Sequence, residues 1–288
     1  MIRRFKLCAV AILLGLIAGC ASVPLDLPKE ESVAIADTSN TRQAKEVAEW
    51  LDNRPDVNGF YPLSQGFDAF GARLALMSVA DASIDAQYFL MKPDDAGLVF
   101  ADRLLDAAER GVRVRLLLDD VFTTVEDGSL ALLDAHPKIE VRIFNPVARE
   151  GVYAFNYVGN FELANRRMHN KSFTVDNQVS VTGGRNIADR YFDYDTNYLF
   201  KDRDVAVFGP AAREMRESFE WFWNSPRTVP VQHLRDVAPV LLGSEPGSLP
   251  PYEAPQRLQP VLEELLLNSR IYRMFLNFGS GELRTSSI

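Results

Sequence analysis

The sequence predicts an α/β layered sandwich, a mixed sheet flanked by helices. Segments with strand character alternate with amphipathic segments between residues 83 and 144, a pattern that builds a layered sheet through right-handed crossovers. A hairpin signal follows at 168–182. The composition, 47% hydrophobic and 24% charged over 288 residues, is that of a globular chain able to bury a sizeable core.

The amino terminus stands apart from this fold. Arg3, Arg4 and Lys6 precede a short apolar run that ends in Gly19-Cys20. An apolar stretch of this length behind basic residues is a secretory signal rather than a membrane span, which needs about 20 apolar residues. Residues 1–19 are therefore expected to be a signal peptide. Cys20 after Ala18-Gly19 resembles a bacterial lipobox, which implies cleavage before Cys20, lipidation of its thiol and a membrane anchor made of several acyl chains. Ala21, not Asp, follows Cys20, so the usual inner-membrane retention signal is missing; the expected location is the periplasmic face of the envelope, with outer-membrane sorting open. Residues 20–41 are polar and contain Pro, a tether expected to be poorly ordered.

The folded part is expected from residue 42. Residues 44–51 have helical spacing, and 66–81 carry Phe67, Phe70, Leu74, Met77 and Val79 as a second helix. Residues 83–91 are a strand. Residues 96–110 form an amphipathic helix that Gly111 stops. Strand 112–118, helix 126–135 and strand 138–144 follow. Residues 145–165 make a long aromatic connection with Tyr153, Phe155, Tyr157 and Phe161, suited either to acyl chains or to packing the loop down. The β-branched and aromatic content of 168–175 predicts a strand, Asp176-Asn177-Gln178 a tight turn, and 179–182 the returning strand. A strand within 196–208 and a helix over 211–223 close the unit. The catalytic domain is thus 42–225, and 226–288 is a Pro- and Gly-rich linker leading to the start of a further half, with a helix at 263–275.

The chemistry concentrates between residues 168 and 186. On a strand, His169 and Lys171 lie two residues apart and share a face, so one imidazole and one ammonium enter one pocket. Gly183-Gly184 lets backbone approach a ligand, and Asn186 closes the site. Attack on an anionic phosphodiester needs positive charge on the non-bridging oxygens and a nucleophile that is uncharged beforehand. Lys171 and Asn186 answer the first requirement. Neutral imidazole, with an ordinary pKa of about 6.5, answers the second.

The full pattern, His169-x-Lys171, four residues, Asp176, six residues, Gly183-Gly184-x-Asn186, resembles the signature of the phospholipase D superfamily. Ser83-Ile84-Asp85-Ala86-Gln87-Tyr88, the run Gly111 to Asp120, and Arg166-Arg167-Met168-His169-Asn170-Lys171 resemble its bacterial cardiolipin synthase and phosphatidyltransferase branch. The resemblance covers about residues 55–230. It implies a phospholipase D-like sandwich that is one repeat of a normally two-repeat enzyme, and a phosphohistidine formed at His169. Lys171 becomes the phosphate-binding cation; Gly184 and Asn186 become substrate-binding positions. Gly184 stands where many members have Ser, which bears on one hydroxyl contact to phosphate. The resemblance also implies an acidic residue on a later strand to hold the other ring nitrogen: Asp202 or Asp204, with Asp202 preferred. Asp176 is expected to fix the loop and pair with a cation.

A phosphohistidine route also needs an acid for the departing alkoxide, and a second histidine facing the first is the economical choice. His136 and His233 lack the motif's lysine and are expected to be bystanders. A second motif copy would come from a symmetric homodimer or from a missing C-terminal half. The implied reaction is phosphatidyl transfer on a phospholipid, with an alcohol or water as acceptor. The alternatives are a periplasmic phosphodiesterase or nuclease, and an inactive envelope lipoprotein. The formal charge of −8 becomes −11 once Arg3, Arg4 and Lys6 leave with the signal, which disfavours a nucleic-acid partner. No cofactor and no metal are expected: the chain has no thiolate pair after lipidation and no zinc or nucleotide motif.

Overall fold

The computed structural model describes residues 23, 25, 27–148, 165–194 and 198–234. Cys20, the aromatic residues 153–161 and the 263–275 segment lie outside the described residues.

In chain order the elements are α1 (Arg42–Trp50), β1 (Gly59–Leu63), α2 (Gly66–Val79), β2 (Ser83–Tyr88), α3 (Asp95–Glu109), β3 (Arg113–Asp119), α4 (Asp127–Asp134) and β4 (Ile139–Phe144). Then follow β5 (Ser172–Val175), β6 (Val179–Gly183), β7 (Asp204–Phe208), α5 (Pro210–Trp223) and β8 (Thr228–Pro230), with single 3-10 turns at Asp189–Tyr191 and Val231–His233. Helix starts are chemically marked. Thr41 accepts from the Ala44 amide at 3.2 Å ahead of α1, Asp94 from the Gly97 amide at 3.2 Å ahead of α3, and Pro210 opens α5.

One mixed sheet runs β1-β7-β6-β5-β2-β3-β4-β8. β2, β3 and β4 are parallel, as the β-α-β alternation requires; the remaining pairings are antiparallel. Alternation along β2 sends Ile84, Ala86 and Tyr88 into the larger core with residues of α2 and α3. Ser83, Asp85 and Gln87 alternate with them and are buried too, because α5 covers the other face. That second face is polar in its middle. Arg115 makes a two-pronged pair with Asp85 at 2.7 Å through each nitrogen, and the guanidinium lies 4.9 Å from the Phe219 ring centre.

Three features depart from the expectation. β1 and β8 have no strong sequence signal, being short and Pro-containing; both occupy sheet edges, where a missing N–H costs nothing. The tether is docked, not loose, over much of its length: Lys29 donates to Thr228 O at 2.7 Å, Trp223 Nε1 to Ser32 Oγ at 2.8 Å, and Asn177 Nδ2 to Ile35 O at 2.9 Å. Its polar residues satisfy the polar groups on the α5 face, which composition alone does not reveal. Finally, the strand expected over 168–175 begins only at Ser172, so His169 and Lys171 sit on the extended run leading into it.

Candidate active site

β5 lies mid-sheet between β2 and β6, and the chain enters it at the end of β2 where Gln87 faces Ser172. This entry run carries the candidate nucleophile. The His169 ring is exposed, while Lys171 is only 6% exposed. Lys171 Nζ lies 3.3 Å from His169 Nδ1 and donates to the His169 carbonyl at 2.7 Å, and Thr182 Oγ1 holds the Lys171 carbonyl at 2.8 Å. Imidazole and ammonium therefore lie side by side although the strand starts later than expected. Phe89 packs against both: its ring centre is 4.6 Å from that of His169 and 5.0 Å from Lys171 Nζ.

Partial desolvation and the adjacent ammonium both press the His169 pKa below its usual value, which keeps the imidazole neutral at pH 7. Burial lowers Lys171 to about 8, against the fields of Asp202 and Asp119, which favour the charged form. At neutral pH the pair is a neutral base beside a cation.

Asp202 comes close enough to act on Lys171 and lies against Gly184, where an added Cβ would fall 2.3 Å from Asp202 Oδ1. The group at His169 Nδ1, however, is the Lys171 ammonium and not a carboxylate. Asp204 is spoken for elsewhere: its carboxylate is buried 3.0 Å from Arg73 Nη2 and 3.8 Å from Arg185 Nη1. Asn186 is buried with its amide committed to the scaffold, Oδ1 accepting from the Leu90 amide and Nδ2 donating to Tyr191 OH, each at 3.1 Å. It secures Leu90, the residue after Phe89.

Asp176 does not join the site. It follows the far end of β5, roughly 16 Å along the strand from Lys171. Its carboxylate accepts from the amides of Asp81, Ala82 and Ser83 at 3.0, 2.7 and 2.9 Å. It fixes a loop as expected, but through backbone donors instead of a cation. Asp176 and Asn177 take left-handed backbone, φ 50° and 56°, which these residue types tolerate. His136 Nδ1 accepts from the Lys138 amide and His233 Nε2 lies 3.2 Å from Pro28 O, so neither faces His169.

Two groups escape sequence reasoning. Phe89 had only the signal of closing a strand. Asp119 ends β3, a buried carboxylate after three leucines; it accepts from the Met168 amide at 2.8 Å and pairs with Arg167 Nη1 at 3.2 Å. The basic pair beside the motif is thus divided: Arg167 is engaged there, and Arg166 is exposed. Among the described residues no group of three His, Cys, Asp or Glu is placed to hold a metal, and no helix is long and apolar enough to cross a membrane.

Residues 74–223, just over half of the chain, match the family model described as cardiolipin synthase, PLD-like domain, and every motif position from His169 to Asp202 falls inside that span. The chain is 43% identical to cardiolipin synthase C of Escherichia coli over 196 residues, which span 68% of this chain and 41% of that protein. It is 39% identical over 219 residues to an uncharacterized protein of Helicobacter pylori, covering 75% of this chain and 44% of that one. Among solved structures, the phospholipase D family member Nuc from Salmonella typhimurium aligns with a TM-score of 0.43 at 20% identity, over 60% of this chain and 98% of that one. The chain spans about two-fifths of the length of the two curated relatives. On the strength of the matched domain, the chain belongs to the phospholipase D-like family of cardiolipin synthases.

Proposed function

We propose that this chain carries the nucleophilic half of a phosphatidyltransferase site of the cardiolipin synthase kind, acting through a phosphohistidine at His169. The observation that carries the reading is the exposed imidazole 3.3 Å from a buried lysine ammonium. A charged Lys171 can only donate to Nδ1, which leaves the ring proton on Nε2; Nε2 becomes the attacking nitrogen once the ammonium leaves Nδ1 and the ring proton moves there. An arriving phosphodiester draws the ammonium from Nδ1 to a non-bridging oxygen. The bond from Lys171 to the His169 carbonyl can persist through that small move.

In the first step a nitrogen–phosphorus bond forms as the phosphorus–oxygen bond to the headgroup alcohol breaks, leaving phosphatidyl on His169. The departing alkoxide takes a proton from a second histidine, supplied by a second motif copy in a partner chain or a downstream half. An acceptor hydroxyl then attacks phosphorus and releases the ring; phosphatidylglycerol as acceptor gives cardiolipin, and water gives hydrolysis. The lipobox-like Cys20 supports work at a membrane surface, and the charge of −8 favours lipid over a nucleic-acid polyanion.

The test is headgroup exchange. Full-length protein in vesicles containing phosphatidylglycerol should produce cardiolipin and free glycerol, and His169→Ala should abolish both. Cleavage of nucleic acid with no lipid product would replace this reading with the phosphodiesterase one. Neither product at any protein concentration would leave an envelope lipoprotein without activity.

A further inference from the structure

We propose that Asp119 is a positioning residue for this site: its carboxylate, tied to the Met168 amide and the Arg167 guanidinium, sets where His169 emerges from the chain beside Lys171. The inference rests on the role proposed for His169. Its basis is geometric. Asp119 is completely buried at the carboxyl end of β3, and besides the local Val121 amide it holds the segment immediately before the nucleophile. Oδ2 takes the Met168 amide at 2.8 Å; Oδ1 takes Arg167 Nη1 and the Val121 amide, each at 3.2 Å.

The neighbouring contacts complete a clamp. Arg167 Nη2 donates to Asn145 O at 2.7 Å, and Asn145 Nδ2 donates to Arg166 O at 3.0 Å. Asn145 itself takes left-handed backbone, φ 51°, just after β4. Three consecutive residues, 166 to 168, are thereby tied to the ends of β3 and β4. His169 is the first residue past the tie. Because the imidazole is exposed and among the described residues meets the Phe89 ring and the Lys171 ammonium, its direction depends strongly on the backbone that delivers it.

The same carboxylate, clamped to the run that carries both motif residues, is also one of the charges that act on Lys171. The groups acting on it are Asp202 and Asp119, with His169 in contact at Nδ1. Asp119 in turn faces the Arg167 guanidinium and the neighbouring Asp120 carboxylate, and burial pushes its own pKa up to about 6. It is ionised at neutral pH. Losing that charge lets burial drive the Lys171 pKa lower still, so the ammonium available to phosphate disappears at a lower pH.

Asp119→Asn keeps an acceptor for the Met168 amide and removes the charge. Asp85→Asn removes another buried carboxylate, the one paired with Arg115, and controls for a merely structural loss. Lysine side-chain NMR in the full chain should show the Lys171 midpoint falling by roughly 0.5 pH unit in Asp119→Asn, and staying put in Asp85→Asn. That readout does not depend on turnover, so it stands apart from failure of the phosphatidyltransferase reading. Where turnover is measurable, kcat should fall more than KM rises and the alkaline limb should move by the same shift. Should Asp119→Asn not fold, the Met168 amide resonance of His169→Ala should titrate with a midpoint near 6, that of Asp119. An unmoved Lys171 midpoint, an equal shift in Asp85→Asn, or a Met168 amide that does not titrate near 6 would overturn the proposal.

Discussion

Lys171→Met should make the protein more stable at neutral pH while removing the cation the site needs. Burial lowers the Lys171 pKa from 10.5 to about 8. A lysine with a lower pKa in the folded state is a net cost to folding while it stays charged, and that cost shrinks as pH rises from the folded value to the unfolded one. At about 1.4 kcal/mol per pKa unit, the cost below pH 8 is about 3 kcal/mol. Methionine has similar length and no charge to desolvate. It forfeits the hydrogen bond to His169 O, worth about 1 kcal/mol. The balance is a gain of about 2 kcal/mol at pH 7, or roughly 4 to 8 °C in Tm for a domain of this size. Urea unfolding at pH 7 and above pH 10.5 reads it. Above pH 10.5 the amine is neutral in both states, so the gain should vanish and the lost hydrogen bond should leave the variant slightly less stable. A variant less stable at pH 7, or a difference that ignores pH, would mean that the buried ammonium costs the fold nothing.

The same two groups shape the pH dependence of turnover. Activity should rise as pH climbs through the lowered His169 pKa, somewhere under 6.5, and fall as Lys171 loses its proton near 8; a kcat/KM profile that stays flat past pH 9 would contradict the assignment of the cation. Asp204→Asn should cost about 3 to 5 kcal/mol in chemical denaturation, because it leaves the buried Arg73 guanidinium without its carboxylate and removes one of those acting on Arg185; a loss under 1 kcal/mol would show that the site tolerates the change. Gly184→Ser should destabilise by about 1 to 3 kcal/mol through the contact with Asp202, and Asp202→Ala in the same chain should recover most of that; simple additivity of the two changes would rule out the clash.

Local signals made much of this molecule legible. The β2-α3-β3-α4-β4 unit declares itself by periodicity: Ile84, Ala86 and Tyr88 alternate in β2, and Gly111 stops α3 at its end. The β5-β6 hairpin is equally plain, since Asp176 and Asn177 suit the left-handed backbone of its turn. Pairing His169 with Lys171 came from spacing, but the geometry that joins them does not depend on strand pleating. The ammonium folds back onto the His169 carbonyl, a contact two residues apart that any extended run permits. What spacing cannot show is which carboxylate does what. Asp176, Asp202 and Asp204 read alike in sequence; three backbone amides, a glycine face and two buried guanidinium groups distinguish them, and all of these come from distant parts of the chain. The role of Asp119 was hidden for the same reason, because the partners that tie it to the site lie 48 and 49 residues downstream. The docked tether and the two edge strands depend on long-range pairing, with no periodicity of their own to announce them.

The intermediate can be sought as phosphate on the His169 ring. Full-length protein quenched during incubation with phosphatidylglycerol vesicles and analysed at neutral to alkaline pH by peptide mass spectrometry should carry an acid-labile phosphatidyl adduct on His169. The adduct should be absent from His169→Ala and reduced in Lys171→Met. Lipid turnover with no adduct on His169, or with phosphate on another side chain, would contradict the account.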